Sequence, residues 1–357
     1  MNTKILDNLA EIKRLDKKNM LGSLESLAGQ VKDISAAVKK IKTAASGIDN
    51  IVVLGMGGSG LGAHIVRSVF GKEIKAPLSV VHGYRCPGFV CQRSLVIAAS
   101  YSGNTEEVLS AFAEAKKKKA KLAVIAAGGA LAALAKKEKV PAVIFTTKNN
   151  PCGSPRMGLG YAIFGLAFLL AKFGLMKFGD KEAAAAVAII SRAQKRFGPS
   201  VAMKKNPAKR IALKVANQSV WFIGAEHLSG NAHVAANQMN ENAKRFAGYF
   251  LIPELNHHLL EGMLNPAGNK KNLCFIFLES KLFDQRNQKR FSVTKSVLSQ
   301  NKIVCESVIL TEKTKFGQAL EAIIFSGYAS FYSAVASGID PTPIPFVDYF
   351  KKAMSGK

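Results

Sequence analysis

The sequence predicts an α/β protein built from two doubly wound domains with parallel sheets, preceded by a helical lead-in and followed by a C-terminal helix. Three observations predict this class. Short apolar runs alternate with stretches of helical periodicity, the alternation pauses after about residue 146 and then resumes, and 357 residues exceed the usual size of one domain. The expected divisions are a helical lead-in (1–48), a first domain (49–155), bridging helices (156–205), a second domain (206–340) and a C-terminal helix (341–357).

The lead-in and the first domain come first along the chain. Ile5, Leu9 and Ile12 recur at helical spacing, as do later apolar residues, so residues 1–48 are expected to be helical. The βαβα order that follows predicts a parallel sheet with helices on both faces. Its strands are expected at residues 50–54, 78–82, 94–99, 122–126 and 142–146, and its helices at 61–70, 105–118 and 130–137.

Two bridging helices, at residues 157–173 and 181–197, are expected to lead into the second domain. Its strands are expected at residues 220–223, 273–278 and 302–309, and its helices from the first strand to about residue 244 and at 285–298 and 315–337. The uncharged stretch 322–339 offers more apolar surface than one domain is expected to cover. We therefore expect a homodimer.

Composition favours a cytoplasmic protein. The five cysteines include no C-x-x-C pair, so the sequence shows no zinc or redox signature, and a reducing compartment fits best. The chain opens with mixed charges and has no apolar leader. The uncharged stretch 157–171 is shorter than the roughly 20 residues of a spanning helix, and 322–339 carries four serines and two glycines. We expect no membrane association.

The chain is strongly basic, with 50 lysines and arginines against 24 acidic residues and a net charge of +26. The lysine runs at 116–119 and 136–139 end helical stretches and have no interleaved aromatic residues on which bases could stack. A solvated basic surface is therefore favoured, and no specific nucleic-acid partner is expected. A positive field would also attract an anionic metabolite.

Two loops are predicted to bind phosphate. G-M-G-G-S-G at residues 55–60 follows a strand and begins a helix, as in the dinucleotide fingerprint G-x-G-x-x-G. The next strand ends in H-G-Y without the carboxylate that would bind a ribose, so a nicotinamide or flavin oxidoreductase is less favoured. In the second loop, S-Y-S-G-N-T-E-E at residues 100–107, three hydroxyl groups precede a helix. An N-cap needs only one of them, so a phosphate site is favoured.

Four further polar segments are candidates for chemistry. They are P-R at 155–156, N-E-N-A-K at 240–244, P-E-L-N-H-H at 253–258, and D-P-T-P at 340–343 before the C-terminal helix. The asparagines beside Glu241 indicate an ordered polar pocket rather than a solvated carboxylate. Adjacent residues such as His257 and His258 seldom share one metal ion, and H-x-x-x-H spacing is absent. Catalysis without a metal or another cofactor is therefore expected.

Together these segments resemble the bifunctional phosphoglucose/phosphomannose isomerase family, whose two domains are SIS domains. The resemblance covers nearly the whole chain, including Asp16, Met20 and Leu21 of the lead-in, and S-x-S-G-x-T-x-E is similar to the SIS signature. It implies two SIS domains and a homodimer that isomerises glucose 6-phosphate, and mannose 6-phosphate, to fructose 6-phosphate through a cis-enediolate.

The resemblance also implies a role for each matched residue. Glu241 would be the base at C2, His257 would open the sugar ring, and Arg156 would lie near the enediolate oxygen. Lys351 would be the C-terminal active-site lysine, with Lys352 as the alternative because only loose spacing aligns this helix. The 6-phosphate would be bound by Gly58, Ser59, Ser100, Ser102 and Thr105.

The chain departs from the family pattern at His258, where an asparagine is expected, in the less basic helix before Glu241, and in the loop 148–154. These differences bear on sugar preference rather than on reaction class. Two other functions stay open. A different SIS-domain sugar isomerase or synthase is one, although a glutaminase domain with an N-terminal cysteine is absent and residue 2 is asparagine. A non-catalytic sugar-phosphate regulator is the other, although 48 residues leave little room for a helix-turn-helix domain.

Overall fold

The computed structural model describes residues 3–43 and 46–354. Two sheets, each with parallel pairing throughout, form its centre. The first has the strand order β2-β1-β3-β4-β5, where β1 is Asn50–Leu54, β2 Leu78–Val81, β3 Ser94–Ser100, β4 Lys121–Ala126 and β5 Ala142–Ile144. The second has the order β7-β6-β8-β9, where β6 is Ser219–Gly224, β7 Ala247–Leu251, β8 Leu273–Glu279 and β9 Val304–Ile309. The predicted α/β class with two doubly wound parallel sheets is confirmed.

Helices cover both sheets and connect their strands. The lead-in and first domain contain α1 (Leu9–Leu15), α2 (Met20–Glu25), α3 (Leu27–Val38), α4 (Gly57–Phe70), α5 (Glu106–Lys117) and α6 (Gly129–Lys137). The bridge is α7 (Leu159–Lys172) and α8 (Asp180–Phe197). The remainder are α9 (Pro207–Lys214), α10 (Ser229–Ala243), α11 (Asn269–Asn272), α12 (Gln285–Gln300), α13 (Lys315–Ala336) and α14 (Pro345–Met354).

The strand order of the first sheet places a crevice between β1 and β3. All seven residues of β3 are buried, as expected for a parallel strand covered on both faces. The chain runs from β1 outward to β2 and then returns to the other side of β1 for β3. Loops that leave β1 and β3 therefore diverge at their carboxyl ends, which is where open α/β sheets bind ligands. Both predicted phosphate loops begin at this point.

Several element boundaries differ from the sequence predictions. The last helix of the lead-in ends at Val38, so the prediction of helix over residues 1–48 is wrong for 39–43 and 46–48, while 1–2 and 44–45 lie outside the described residues. The strand β7 was not predicted. It lies at the sheet edge, and Gly248 interrupts its apolar pattern because the Trp221 ring occupies the space that a Cβ there would need. Helix α9 was missed although Asn206 caps it and Pro207 is its first residue.

Helix α13 does not form a dimer surface, contrary to the expectation for residues 322–339. Its side chains are buried within this one chain, packed against α8, α9 and α10. Within the described part of the chain it is the one helix long and apolar enough to cross a membrane, and complete burial in protein accounts for its composition. The exposed apolar helix is instead α14, where Phe346, Tyr349 and Phe350 are 87%, 75% and 62% exposed.

Close helix packing joins the two domains. Gly230 of α10 lies so near the backbone of His64 in α4 that a Cβ would come within 2.6 Å of the carbonyl oxygen of His64. A side chain there would push the helices apart. Because α4 begins at the first phosphate loop and Glu241 lies in the last turn of α10, the packing of these two helices brings the phosphate loop and the predicted base to one region.

Candidate active site

The two predicted phosphate loops contact each other through their hydroxyl groups. The backbone N–H of Tyr101 donates to Ser59 Oγ at 2.8 Å. Ser100 Oγ lies 2.8 Å from Thr105 Oγ1 and accepts from the N–H of Gly103 at 3.0 Å. Ser59, Ser100 and Thr105 are therefore part of one polar network at the carboxyl ends of β1 and β3.

The hydroxyl of Thr105 does not cap α5. Thr105 occupies the N-cap position, yet its side chain makes no capping hydrogen bond and bonds with Ser100 instead. The first N–H groups of a helix need a partner, and an anion satisfies them well. Ser102 is exposed at the tip of this loop, where its Oγ accepts from the N–H of Asn104 at 3.2 Å. The arrangement fits a phosphate that enters from solvent.

Gly58 joins the phosphate loop to the Pro155-Arg156 segment. A Cβ at residue 58 would lie 2.6 Å from the backbone N of Arg156 and 2.6 Å from the carbonyl carbon of Pro155. Both contacts are with backbone, so neither can relax by a change of rotamer. Glycine is therefore required at this position, and it fixes Arg156 beside the loop.

Arg156 is 1% exposed and its side chain connects three segments of the chain. Its Nε donates to Asn242 Oδ1 at 2.6 Å and its Nη1 to Glu241 Oε2 at 3.0 Å. Its Nη2 donates to the carbonyl oxygens of Pro341 at 3.2 Å and Thr342 at 2.9 Å. These bonds account for four of the five guanidinium N–H groups. Arg156, which the sequence predicted to lie near the enediolate oxygen, thus mainly holds these segments together. One N–H on its Nη1 is left for another partner.

Glu241 lies at the last turn of α10 with its side chain 29% exposed. One carboxylate oxygen is bonded to Arg156, and the flanking asparagines have structural roles. Asn242 is fully buried and donates to Ser330 Oγ at 3.0 Å, whereas Asn240 donates to the carbonyl oxygens of Ala236 and Ala247. The polar pocket expected from the sequence therefore consists of hydrogen-bonded asparagine and arginine side chains around the partly exposed carboxylate of Glu241.

The lead-in supports the segment that carries Arg156. Gln30 of α3 is completely buried, and its Nε2 donates to the carbonyl oxygens of Asn149 at 3.1 Å and Met157 at 2.9 Å. Its Oε1 accepts from the N–H of Gly160 at 2.9 Å. One side chain thus fixes both ends of the loop around Arg156. No sequence pattern singles out Gln30, because an isolated glutamine in a helix is usually exposed.

Two predicted site residues are not joined to this group. His257 is exposed in the helical turn Glu254–His257, and within residues 3–43 and 46–354 it makes no hydrogen bond, ion pair or ring contact. Lys351 is exposed on α14, as is Lys352. The arrangement of this single chain therefore brings together Arg156 and Glu241 but leaves the other two predicted catalytic residues on open surface.

Lys244 was not predicted as a site residue, yet it contacts the same segments as Arg156. Its Nζ donates to the carbonyl oxygens of Asn242 at 3.2 Å, Asp340 at 3.0 Å and Pro341 at 2.9 Å. Burial of its Nζ, together with the charge of Arg156, lowers the pKa of Lys244 to about 8. Its place in the N-E-N-A-K segment was the available signal.

Three of the six histidines cluster where α4 meets α10, next to the first phosphate loop. His82 Nδ1 donates to the carbonyl oxygen of Gly55 at 2.6 Å, and His82 Nε2 lies 2.8 Å from His64 Nε2. The His64 and His233 rings are 4.7 Å apart. Burial, then the charges of His233, His82 and Arg67, lower the pKa of His64 to about 3. The cluster therefore favours neutral His64.

This cluster predicts a specific loss of stability in acid. The unfolded chain binds a proton at His64 below about pH 6.5, whereas the folded chain resists it down to about pH 3. The free energy of unfolding should thus have its full value above pH 6.5 and fall by up to roughly 1.4 kcal/mol per pH unit below it. Urea unfolding at pH 7, 6 and 5 measures this slope. His64→Gln should make the slope of unfolding free energy against pH smaller, and the substitution His257→Gln on the surface should leave it unchanged. Equal slopes in the native protein and both variants would contradict the assignment of this acid effect to His64.

Metal ligands are not assembled at this site. Within the two described stretches, no group of three or more histidine, cysteine, aspartate or glutamate side chains is placed to hold a metal ion. His257 and His258 point from one exposed turn and do not meet a carboxylate among the described residues. The expectation of catalysis without a cofactor remains a prediction for a chelation experiment.

Known proteins resemble this chain along most of its length. A family model described as the bacterial phospho-glucose isomerase C-terminal SIS domain matches residues 204–354. The chain is 33% identical over 329 residues to a bifunctional phosphoglucose/phosphomannose isomerase from Caldicellulosiruptor bescii, with 91% of this chain and 93% of that protein covered. It is 29% identical to a protein of the same name from Thermoplasma volcanium, with 86% and 92% covered. A solved structure of a hypothetical protein from Thermus thermophilus shares the fold, with a TM-score of 0.72, 16% identity, and 97% of this chain and 93% of that chain covered.

Proposed function

Since the chain belongs to the bifunctional phosphoglucose/phosphomannose isomerase family, we propose that it converts glucose 6-phosphate and mannose 6-phosphate reversibly to fructose 6-phosphate. The observation that carries this proposal is the Glu241 carboxylate, bonded to buried Arg156 beside the phosphate loop at Gly58. We expect this activity in the cytoplasm, where sugar phosphates are its small-molecule partners.

Aldose–ketose isomerisation moves a proton between C2 and C1 through a cis-enediolate. Glu241 takes the proton from C2 of the open-chain aldose, the electron pair left at C2 forms the C1–C2 double bond, and the C1 carbonyl pair moves onto O1. The hydroxyl proton then passes from O2 to O1 through solvent, and Glu241 returns its proton to C1 as the C2 carbonyl forms. Glucose and mannose 6-phosphates differ only in configuration at C2, which is planar in the enediolate. One carboxylate can therefore serve both sugars if the C2–C3 bond rotates.

Arg156 supports this step mainly by orienting the base. Its bonds to Glu241, Asn242 and the 341–342 carbonyls fix the carboxylate in position before substrate binds. The N–H that remains on Nη1 can donate to the oxygen that gains negative charge in the enediolate. The phosphate is bound by the loop hydroxyl groups of Ser59, Ser100, Ser102 and Thr105 and by the N-terminus of α5.

Ring opening requires an acid/base group, which we assign to His257 of a partner subunit in a homodimer. His257 is exposed and without a contact in the described part of its own chain. Helix α14 also exposes large apolar side chains to solvent. A second copy of the chain that covers α14 can bring its own His257 to the site. Lys351 of α14, or Lys352, then assists at the ring oxygen.

This assembly predicts that two inactive variants complement each other. Light scattering should give a dimer of the 38.3 kDa chain. Glu241→Gln and His257→Ala should each be slow on cyclic substrate, but co-expressed heterodimers should regain activity, because one of their two sites then combines an intact Glu241 with the partner's intact His257. A stable monomer at micromolar concentration, or heterodimers as slow as the two parents, would contradict the shared site.

The direct test of the proposed function is a coupled assay of the purified protein with fructose 6-phosphate, in the presence of a chelator. Both glucose 6-phosphate and mannose 6-phosphate should form. Binding of fructose 6-phosphate without turnover would instead indicate the regulator, and turnover of a different phosphosugar would indicate another member of the SIS fold.

A further inference from the structure

Lys244 ends the helix that carries Glu241 and adopts a left-handed backbone conformation with a φ of 52°. Such a conformation is unfavourable for residues other than glycine. The turn directs the side chain back across the end of α10, where Nζ bonds to the carbonyl oxygens of Asn242, Asp340 and Pro341. An ammonium group has three N–H donors, so these three acceptors use all of them.

Lys244 and Arg156 bind one short segment from two sides. Lys244 donates hydrogen bonds to the carbonyl oxygens of residues 340 and 341, and Arg156 donates to those of residues 341 and 342. Two cations from different domains thus fix three consecutive carbonyl groups. This segment follows α13 and leads directly into α14, which carries Lys351.

We infer that Lys244 is a positioning residue of the proposed isomerase site, whose ammonium group fixes the 340–342 segment so that Arg156 and Glu241 keep their geometry and α14 begins in a defined place. This inference rests on the proposed function. The side chain acts through the segment and through Arg156, and it need not touch substrate.

The charges around Lys244 make this role sensitive to pH. Arg156 repels the ammonium group, whereas Asp340 and Glu241 attract it, and the carboxyl group of Asp340 also interacts with that of buried Asp16. Because the pKa of Lys244 is lowered to about 8, the ammonium group loses its proton in mildly alkaline solution. A neutral amine has two donors for three carbonyl groups and no charge, so the segment should loosen above that pH.

The left-handed backbone allows a clean test. Lys244→Gly removes the ammonium group while relieving the backbone, and Lys244→Arg keeps a charge that does not titrate. Lys302, at φ 57° after α12, is a matched control, since Lys302→Gly makes the same backbone change and its side chain has no partner among the described residues. We expect Lys244→Gly to lower kcat about 10- to 100-fold with little change in KM, and Lys302→Gly to leave both unchanged.

Two further readouts separate positioning from general folding. The kcat of the native protein should fall with an apparent pKa near 8, and in Lys244→Arg this fall should move to higher pH. Amide hydrogen exchange of residues 340–354 should be faster in Lys244→Gly and unchanged in Lys302→Gly. The inference would be overturned if Lys244→Gly kept the native kcat or if Lys302→Gly lost as much kcat as Lys244→Gly. It would also be overturned if the alkaline fall of kcat stayed at the same pH in Lys244→Arg, or if amide exchange of residues 340–354 were unchanged in Lys244→Gly. If the native protein lacks isomerase activity the proposed function fails, while the exchange measurement still tests the contact.

Discussion

Replacing Glu241 with glutamine should reduce turnover by roughly 10² to 10⁴ for both glucose and mannose 6-phosphates, the usual contribution of a positioned base. The change keeps the size of the side chain and an oxygen acceptor for Arg156 Nη1, which lies 3.0 Å from the carboxylate. KM should change little, because the proposed phosphate site at Ser59, Ser100, Ser102 and Thr105 does not include Glu241. Steady-state kinetics on both aldoses measures the two parameters.

Glu73→Gln is the matched control for this change. Glu73 is exposed and lies just after the C-terminal end of α4, whereas the phosphate loop is at the N-terminal end of that helix. It should have native kinetics. A Glu241→Gln enzyme with native kcat on either sugar would show that another group removes the C2 proton, and the assignment of the N-E-N-A-K segment would be wrong for this chain.

Replacing Arg156 should damage both activity and stability. Arg156→Met leaves the Thr342 carbonyl and the bonded oxygens of Glu241 and Asn242 without this donor, while the Pro341 carbonyl keeps Lys244. This change is expected to lower the free energy of unfolding by about 3 kcal/mol or more. Turnover should fall at least about 10²-fold, because the carboxylate loses its orientation and the enediolate loses a donor. Arg156→Lys should recover little of the lost stability or turnover. One ammonium group cannot reach at once the separate acceptors that bond to Nε, Nη1 and Nη2 of the arginine.

Arg192→Met provides the comparison. Arg192 forms a two-bond ion pair with Glu312, at 3.0 and 2.8 Å, but its side chain is 59% exposed. Exposed pairs contribute about 1 kcal/mol or less, so urea unfolding should show a small loss and the assay none. If Arg156→Met were no more destabilising than Arg192→Met, the account of Arg156 as the anchor between domains would be incorrect.

The architecture could be predicted from the sequence because most strands of a parallel sheet are continuous apolar runs. Residues 94–100 are buried on both faces and appear in the sequence as an unbroken run with a polar turn after it. The edge strand β7 lacks that signal, since it is half covered and contains Gly248. The apolar composition of α13 was recognised, but composition alone does not distinguish a helix buried in its own chain from one buried against a partner.

At the site, residue identity and spacing identified candidate residues but not the contacts that each of them makes. Gly58, Ser59, Ser100 and Thr105 meet because the loops after β1 and β3 diverge from adjacent strands, which follows from the topology. The pairing of Arg156 with Glu241 depends on the packing of α4 against α10. Contacts between residues that are distant along the chain produce no periodic sequence pattern, so this pairing could not be predicted. Lys244 was missed for the same reason, since its acceptors lie about a hundred residues away along the chain.

The most direct test of the central claim, that one carboxylate moves the C2 proton of both sugars, is NMR of the native protein and Glu241→Gln acting on fructose 6-phosphate in deuterated water. The native protein should produce glucose 6-phosphate and mannose 6-phosphate that both carry solvent deuterium at C2, and Glu241→Gln should slow the two products by the same factor. Deuterium incorporation by Glu241→Gln at the native rate would indicate that another group is the base, and loss of only one product would indicate two separate bases. Either result would contradict the account.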